Sequence, residues 1–140
     1  MEALAHERIL TQLDHLRLSK LIHRLAGGEG TAVPTPDVEG LLDSAMLVAP
    51  RDVCANVVTM YSQVLLSDPA SGRQRKLTLC YPWDADPAAG FVSVLSPVGS
   101  SLLGLRVGAT AHWRTPVGEV GAADVLAILF QPEASGDYTM

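Results

Sequence analysis

The fold of the second half of this 140-residue chain is decided by the stretch SPVGSSLLGLRVG, residues 96–108. Ser96 is of a residue type that caps helix N-termini, and Pro97 suits the first helical position, where no amide hydrogen is needed. The stretch therefore predicts one short helix over residues 98–105, ended by the glycines of residues 104–108. Its serines do not form the Gly-x-Ser-x-Gly motif of a nucleophilic serine, so they are interpreted as part of a helix.

Strands are predicted on both sides of this helix, because apolar and β-branched residues there alternate with polar ones. The predicted order is β-β-β-α-β-β, which describes a strongly bent, mostly antiparallel sheet packed against the single helix. The predicted strands are residues 57–67, 73–81, 91–95, 110–115 and 122–130.

The N-terminal part of the chain follows a helical period instead. Its two apolar stripes are Leu18, Leu21, Ile22 and Leu25, and then Val38, Leu41, Leu42, Ala45 and Met46. The first helix is predicted to begin near Asp14, with Thr11 or Asp14 as its N-cap, after an extended segment at residues 8–12. The second begins after the capping residue Thr35 and is ended by Pro50. Two such helices would pair as an antiparallel hairpin about 18 Å long. The predicted organisation is a helical hairpin at residues 1–50, a linker at 51–56 and a β-rich domain at 57–140.

Composition and charge exclude several classes of function. The formal net charge is −5 and is spread along the chain, so no basic stripe suggests direct binding to nucleic acid. The longest apolar stretches, of about ten residues, are too short to cross a membrane, and no secretory signal is recognised. Cys54 and Cys80 fit no metal spacing and are expected to be reduced thiols in the cytoplasm.

No catalytic residue, metal site or cofactor is predicted. The four histidines, His6, His15, His23 and His112, have no partner at metal-ligand spacing. Glu29 is the only acidic residue in the turn between the two predicted helices, and its neighbours Gly28 and Gly30 leave it mobile. A single mobile carboxylate is a poor ligand for Mg²⁺.

Trp83 and Tyr81 lie on either side of Pro82 in an acidic loop. A large apolar side chain exposed on a loop often marks a contact site. The same ring would also serve to cover an edge of the sheet, and the sequence leaves both interpretations open.

Residues 57–138 resemble, in order, the C-terminal domain of the Gre transcript-cleavage factors. The resemblance is carried by residues 96–108 and by the turn TPVGEV at residues 115–120. A closer resemblance is to the Gre-related regulators of the Rnk type. It rests on VVTMYS at residues 57–62, LCYP at 79–82, LGLRVG at 103–108 and QPEASGDY at 131–138. Over residues 1–56 the resemblance is weaker.

The resemblance implies an α+β protein whose C-terminal domain is FKBP-like and docks at the entrance of the secondary channel of bacterial RNA polymerase. The residues it places toward the polymerase rim are Ser96, Pro97, Val98 and Leu103. Gre cleavage factors insert a long coiled coil that carries an acidic pair at its tip, whereas this chain has a short hairpin with Glu29 alone. The predicted function is therefore that of a non-catalytic regulator that competes with the cleavage factors for the polymerase.

Three alternatives remain open at the level of sequence. A transcript-cleavage or elongation factor would need a long coiled coil with paired tip carboxylates. An FKBP-like peptidyl-prolyl isomerase would share the fold, which does not determine function, and would need a pocket lined by many aromatic side chains. An adaptor without any link to the polymerase is the third. The oligomeric state is not determined by the sequence.

Overall fold

The computed structural model describes residues 8–26, 36–114 and 117–137. Its helices are α1 (Gln12–Ala26), α2 (Pro36–Ser44) and α3 (Pro97–Leu102). Its strands are β1 (Ile9–Thr11), β2 (Met46–Val48), β3 (Gln63–Ser67), β4 (Gln74–Cys80), β5 (Phe91–Ser93), β6 (Thr110–Arg114) and β7 (Val120–Phe130). Within the described ranges, none of the helices has the length and apolar character that a membrane span requires.

The main sheet has five strands in the order β5-β4-β3-β7-β6. All neighbouring pairs are antiparallel except β4 and β5, which are parallel. The pairing of β3 with β7 shifts register twice, between Gln63 and Val64 and between Leu65 and Leu66. Such irregularities bend a strand and increase its twist, so the sheet curls around its core. The α+β class and the predicted β-β-β-α-β-β order of the second half are confirmed. The second N-terminal helix is shorter than predicted, because α2 ends at Ser44 and the residues after it pair with β1 as strand β2.

The first strand of this sheet begins later than predicted, because residues 57–62 form a buried turn. Thr59 and Ser62 hydrogen-bond to each other through side chain and backbone, with the Thr59 amide donating to the Ser62 hydroxyl at 2.9 Å. Tyr61 lies in the left-handed region, with φ of 66°. Local side-chain hydrogen bonds of this kind compete with strand pairing, and β3 therefore starts only at Gln63.

The start of α3 agrees with the prediction. The Gly99 amide donates to the Ser96 hydroxyl at 3.1 Å, which makes Ser96 the N-cap, and Pro97 occupies the first turn. The helix is shorter than predicted and ends at Leu102. Gly104, at φ of 83°, then turns the chain back toward β1.

The N-terminal segment is extended at β1, which pairs in parallel with β2. Thr11 caps α1 by accepting the Asp14 amide at 3.0 Å, so the helix begins slightly earlier than predicted. The two helices are in contact, and the His15 Nε2 lies 2.9 Å from the Leu42 carbonyl. The predicted hairpin turn, including Glu29, lies outside the described residues, so the hairpin stays a prediction.

One hydrophobic core joins the helices to the sheet. Leu18 and Leu21 of α1 and Leu41 of α2 belong to the same buried cluster as Leu79 of β4 and Leu103 after α3. These three leucines of the apolar stripes therefore attach the two helices to the sheet. Cys54 is exposed, Cys80 is buried, and both are free thiols, as predicted.

Candidate functional site

The start of α3 forms a rigid corner on the surface. Ser96, Pro97 and Val98 are all half-buried, so each keeps part of its surface open to a partner. The Ser96 hydroxyl donates to the Ser93 carbonyl at 2.7 Å while it accepts the Gly99 amide. Because one side chain satisfies both groups, the corner is held in a single conformation. Three of the predicted contact residues are thus neighbours on one surface, named here the α3 corner.

Leu103, the fourth predicted contact residue, is fully buried in the core. It cannot touch a partner unless the core opens. Sequence patterns do not separate a buried leucine after a short helix from an exposed one, which explains why it was included. Its carbonyl accepts the Arg8 guanidinium at 2.8 Å, and the Ser100 carbonyl accepts the same group at 3.2 Å.

A groove of about 480 Å³ runs beside the α3 corner. Its lining residues come from α2, α3, β6, β7 and the segment before β1, and they include Pro97, Arg8, Trp113, Arg114 and Val120. Burial lowers the pKa of Arg8, whose guanidinium is held by the two carbonyls just described. Neither Arg8 nor Arg114 could be recognised from the sequence, because lone cations far apart in the chain carry no recognisable pattern.

A second cavity, of about 450 Å³, lies between α1 and the loop after β4. It is lined by Arg17, Lys20, Leu21, Arg24, Tyr61, Tyr81 and Trp83, and is named here the aromatic–basic cavity. The Trp83 side chain is 64% exposed and stacks on Tyr81, with ring centroids 5.0 Å apart. An exposed ring covers little of the sheet, so this exposure favours the contact-site interpretation of Trp83.

A buried carboxyl group joins α1 to the turn before β3. Asp14 is only 1% exposed and accepts the Met60 amide at 3.1 Å. Burial, reinforced by the nearby Glu133, raises the pKa of Asp14 to about 7. Glu133 accepts the Thr59 hydroxyl at 2.8 Å, and burial raises its pKa as well. The two carboxyl groups thus tie α1 and the segment after β7 to the same buried turn. From the sequence alone, Asp14 was expected only as a possible helix cap.

No group of three or more potential metal ligands occurs in the described parts of the chain. His15 faces the Leu42 carbonyl, His23 is exposed, and His112 lines the groove beside the α3 corner. His6 and Glu29 lie outside the described residues.

Known proteins are similar to this chain in sequence. The family model for the C-terminal part of GreA/GreB matches residues 53–129. The regulator of nucleoside diphosphate kinase of Escherichia coli K12 is 37% identical over 133 residues, which are 94% of this chain and 96% of that protein. GreA of Chloroherpeton thalassium is 32% identical over 81 residues, which are 58% of this chain and 51% of that protein.

A solved structure extends the likeness to the N-terminal part. The GreA/GreB elongation factor from Nitrosomonas europaea is 34% identical and has a TM-score of 0.72, over 89% of this chain and all of that one. The helices and the sheet are therefore matched together, including the part where the sequence resemblance was weakest.

Proposed function

The chain belongs to the GreA/GreB family of transcription elongation factors, and on that premise we propose that it binds bacterial RNA polymerase at the entrance of the secondary channel. There it competes with Gre cleavage factors and has no cleavage activity of its own. It acts in the cytoplasm, with the polymerase. The observation that carries this proposal is the α3 corner, a rigid and partly open surface formed on the family's own domain.

The α3 corner has the properties of a pre-organised contact. Its backbone is held by the Ser96 cap, so little conformational entropy is lost when a partner binds. Pro97 and Val98 present apolar surface beside a groove that also contains Arg8 and Arg114. A partner with an apolar ridge and acidic flanks would complement this surface in both shape and charge.

The lengths of the helices argue against chemistry in the channel. The fifteen residues of α1 and the nine residues of α2 span only about 22 Å and 14 Å at 1.5 Å per residue. Leu41 and Leu18 are packed into the core, so part of that length lies against the sheet rather than beyond it. A short probe with one acidic residue in its turn does not deliver a fixed pair of carboxylates to a catalytic metal ion.

We expect Pro97→Arg to weaken binding to core RNA polymerase by roughly tenfold or more, because a long charged side chain would stand in the centre of the contact. The measurement is a titration of labelled protein with core polymerase. Pro69→Arg, in the exposed turn between β3 and β4, is the matched control and should bind normally. Unchanged affinity of a Pro97→Arg variant with normal thermal stability would rule out this docking surface.

We also expect the protein to inhibit Gre-stimulated transcript cleavage without stimulating cleavage itself. The assay is a stalled elongation complex with labelled RNA, with and without a cleavage factor, at saturating protein. Inhibition should be relieved by excess cleavage factor, as competition for one site requires. Shortened RNA above the polymerase's own background, lost on Glu29→Ala, would show instead that the turn is catalytic.

A further inference from the structure

The aromatic–basic cavity has a cationic wall formed by one face of α1. Arg17, Lys20 and Arg24 are spaced at i, i+3 and i+7, which places them in a row about 10 Å long. Lys20 and Arg24 are exposed. Burial raises the pKa of the Tyr81 hydroxyl, and the nearby Arg17 partly offsets that rise. The row therefore begins beside the aromatic rings and runs outward along the helix.

The opposite wall is a fixed ladder of three rings. Trp83 and Tyr81 are stacked with an interplanar angle of 9°, and Tyr81 meets Tyr61 at 5.7 Å in a tilted arrangement. The Tyr61 hydroxyl donates to the Asp84 carboxylate, which holds that ring in place. One face of Trp83 is covered by Tyr81, and its 64% exposure leaves the other face open. Among the residues that the structure describes, no other ring stacks on this outer face of Trp83, so the row of rings ends in a flat apolar surface.

We propose that the aromatic–basic cavity binds a nucleoside polyphosphate. The base stacks on Trp83, and the phosphates pair with Lys20 and Arg24 and reach toward Arg17. Aromatic side chains bind the π-faces of all bases, and guanidinium groups match phosphate oxygens in geometry and charge. The volume of about 450 Å³ falls within the usual range for small-molecule sites, about 300–1,000 Å³. This site is separate from the α3 corner and goes beyond the proposed function.

Other ligands fit the two walls less well. A quaternary ammonium ligand would use the rings but would be repelled by three cations. A longer nucleic acid needs cations along an extended path, whereas this chain has a net charge of −5 and these three cations are confined to two turns of α1. An acidic peptide would pair with the cations and leave the open face of Trp83 unused. Only a ligand that joins a planar ring to a short run of negative charge uses both walls.

The test is calorimetric titration of the full chain with ATP and GTP, compared with adenosine and tripolyphosphate. We expect saturable binding of one nucleotide per chain. Adenosine and tripolyphosphate should each bind at least about tenfold more weakly than the nucleotides, because each of them contacts only one wall of the cavity. Absence of saturable nucleotide binding below ~1 mM would refute the site. So would tighter binding of an eight-nucleotide RNA or of a glutamate decapeptide than of either nucleotide.

Three variants locate the ligand. Trp83→Ala and Arg24→Glu should each weaken nucleotide binding by roughly tenfold or more, through lost stacking and reversed charge. Lys76→Glu, at an exposed position of β4, makes the same kind of charge change elsewhere and should leave affinity unchanged. Melting curves check that all three are folded. If Lys76→Glu lost as much nucleotide affinity as the other two variants, the nucleotide would be bound by net charge. If Trp83→Ala and Arg24→Glu kept their nucleotide affinity, the nucleotide would bind at another place.

Polymerase binding supplies an independent measurement. The Trp83→Ala variant should bind core polymerase with the affinity of the unmodified chain, because Trp83 does not line the groove beside the α3 corner. If the Pro97→Arg prediction failed, the proposal of a nucleotide site would therefore not be affected. If Trp83→Ala instead lost polymerase affinity while nucleotide binding stayed undetectable, the cavity would be assigned to the polymerase interface and the nucleotide proposal abandoned.

Discussion

Replacing Gly99 with alanine is expected to lower the free energy of unfolding by about 3 kcal/mol or more, because the added methyl group has no space. A Cβ built at Gly99 would overlap the Ser93 carbonyl oxygen and lie 2.8 Å from its carbonyl carbon and 3.0 Å from the Val94 Cα. All three are backbone atoms, which do not move aside as a flexible side chain does. The only relief is displacement of α3 from β5, which would also disturb the Ser96 cap.

The experiment is chemical unfolding of Gly99→Ala beside Gly40→Ala. Gly40 lies in the exposed face of α2, and no atom of the described residues would come within 4 Å of its added Cβ. Because glycine in a helix is less favourable than alanine, Gly40→Ala should be more stable than the unmodified chain by about 0.5–1 kcal/mol. We expect the free energy of unfolding to fall in Gly99→Ala and to rise in Gly40→Ala. A Gly99→Ala variant as stable as the unmodified chain would mean that α3 is not packed on β5 as described.

The second large effect is a loss of stability with rising pH that originates at Asp14. The pKa of this carboxyl group is raised from its ordinary 3.8 to about 7 in the folded chain. Between these values the folded state keeps the proton and the unfolded state releases it. The free energy of unfolding therefore falls as pH rises from about 4 to 7, and the whole of this loss is present above pH 7. Charged groups that face the carboxyl are Glu133, which raises its pKa, and Arg17, which lowers it.

The substitution Asp14→Asn should remove this loss of stability at high pH. The amide oxygen can still accept the Met60 amide hydrogen, and the side chain no longer ionises. We expect the advantage of Asp14→Asn over the unmodified chain to grow by about 3 kcal/mol between pH 5 and pH 8, because about two pH units lie between pH 5 and the folded pKa and each is worth about 1.4 kcal/mol. Asp43→Asn, at an exposed position of α2, is the control. If the free energies of unfolding of the unmodified chain and of Asp14→Asn changed with pH in parallel, ionisation of Asp14 would cost the folded state no stability.

Features that depend on neighbouring residues were predictable. Ser96 and Pro97 specify a helix start through contacts within one turn, and the structure has the cap there. The extended segment before α1 and the order of strands also follow from local patterns. The buried turn at residues 57–62 was mistaken for strand, because β-branched residues that fill a core have the same composition in a strand and in a buried turn.

What the sequence by itself determined was the kind of protein: an α+β chain whose second half has the Gre pattern, with short apolar helices before it. Local caps, alternation and helical periods suffice for that, because each is encoded within a few residues. The tertiary structure decided which residues meet. Asp14 reaches Met60 across 46 positions, Leu103 is buried beneath Arg8, and the cations of α1 face Trp83. Such contacts depend on how the helices and the sheet share one core. The free energy of that packing is a property of the whole chain rather than of any segment.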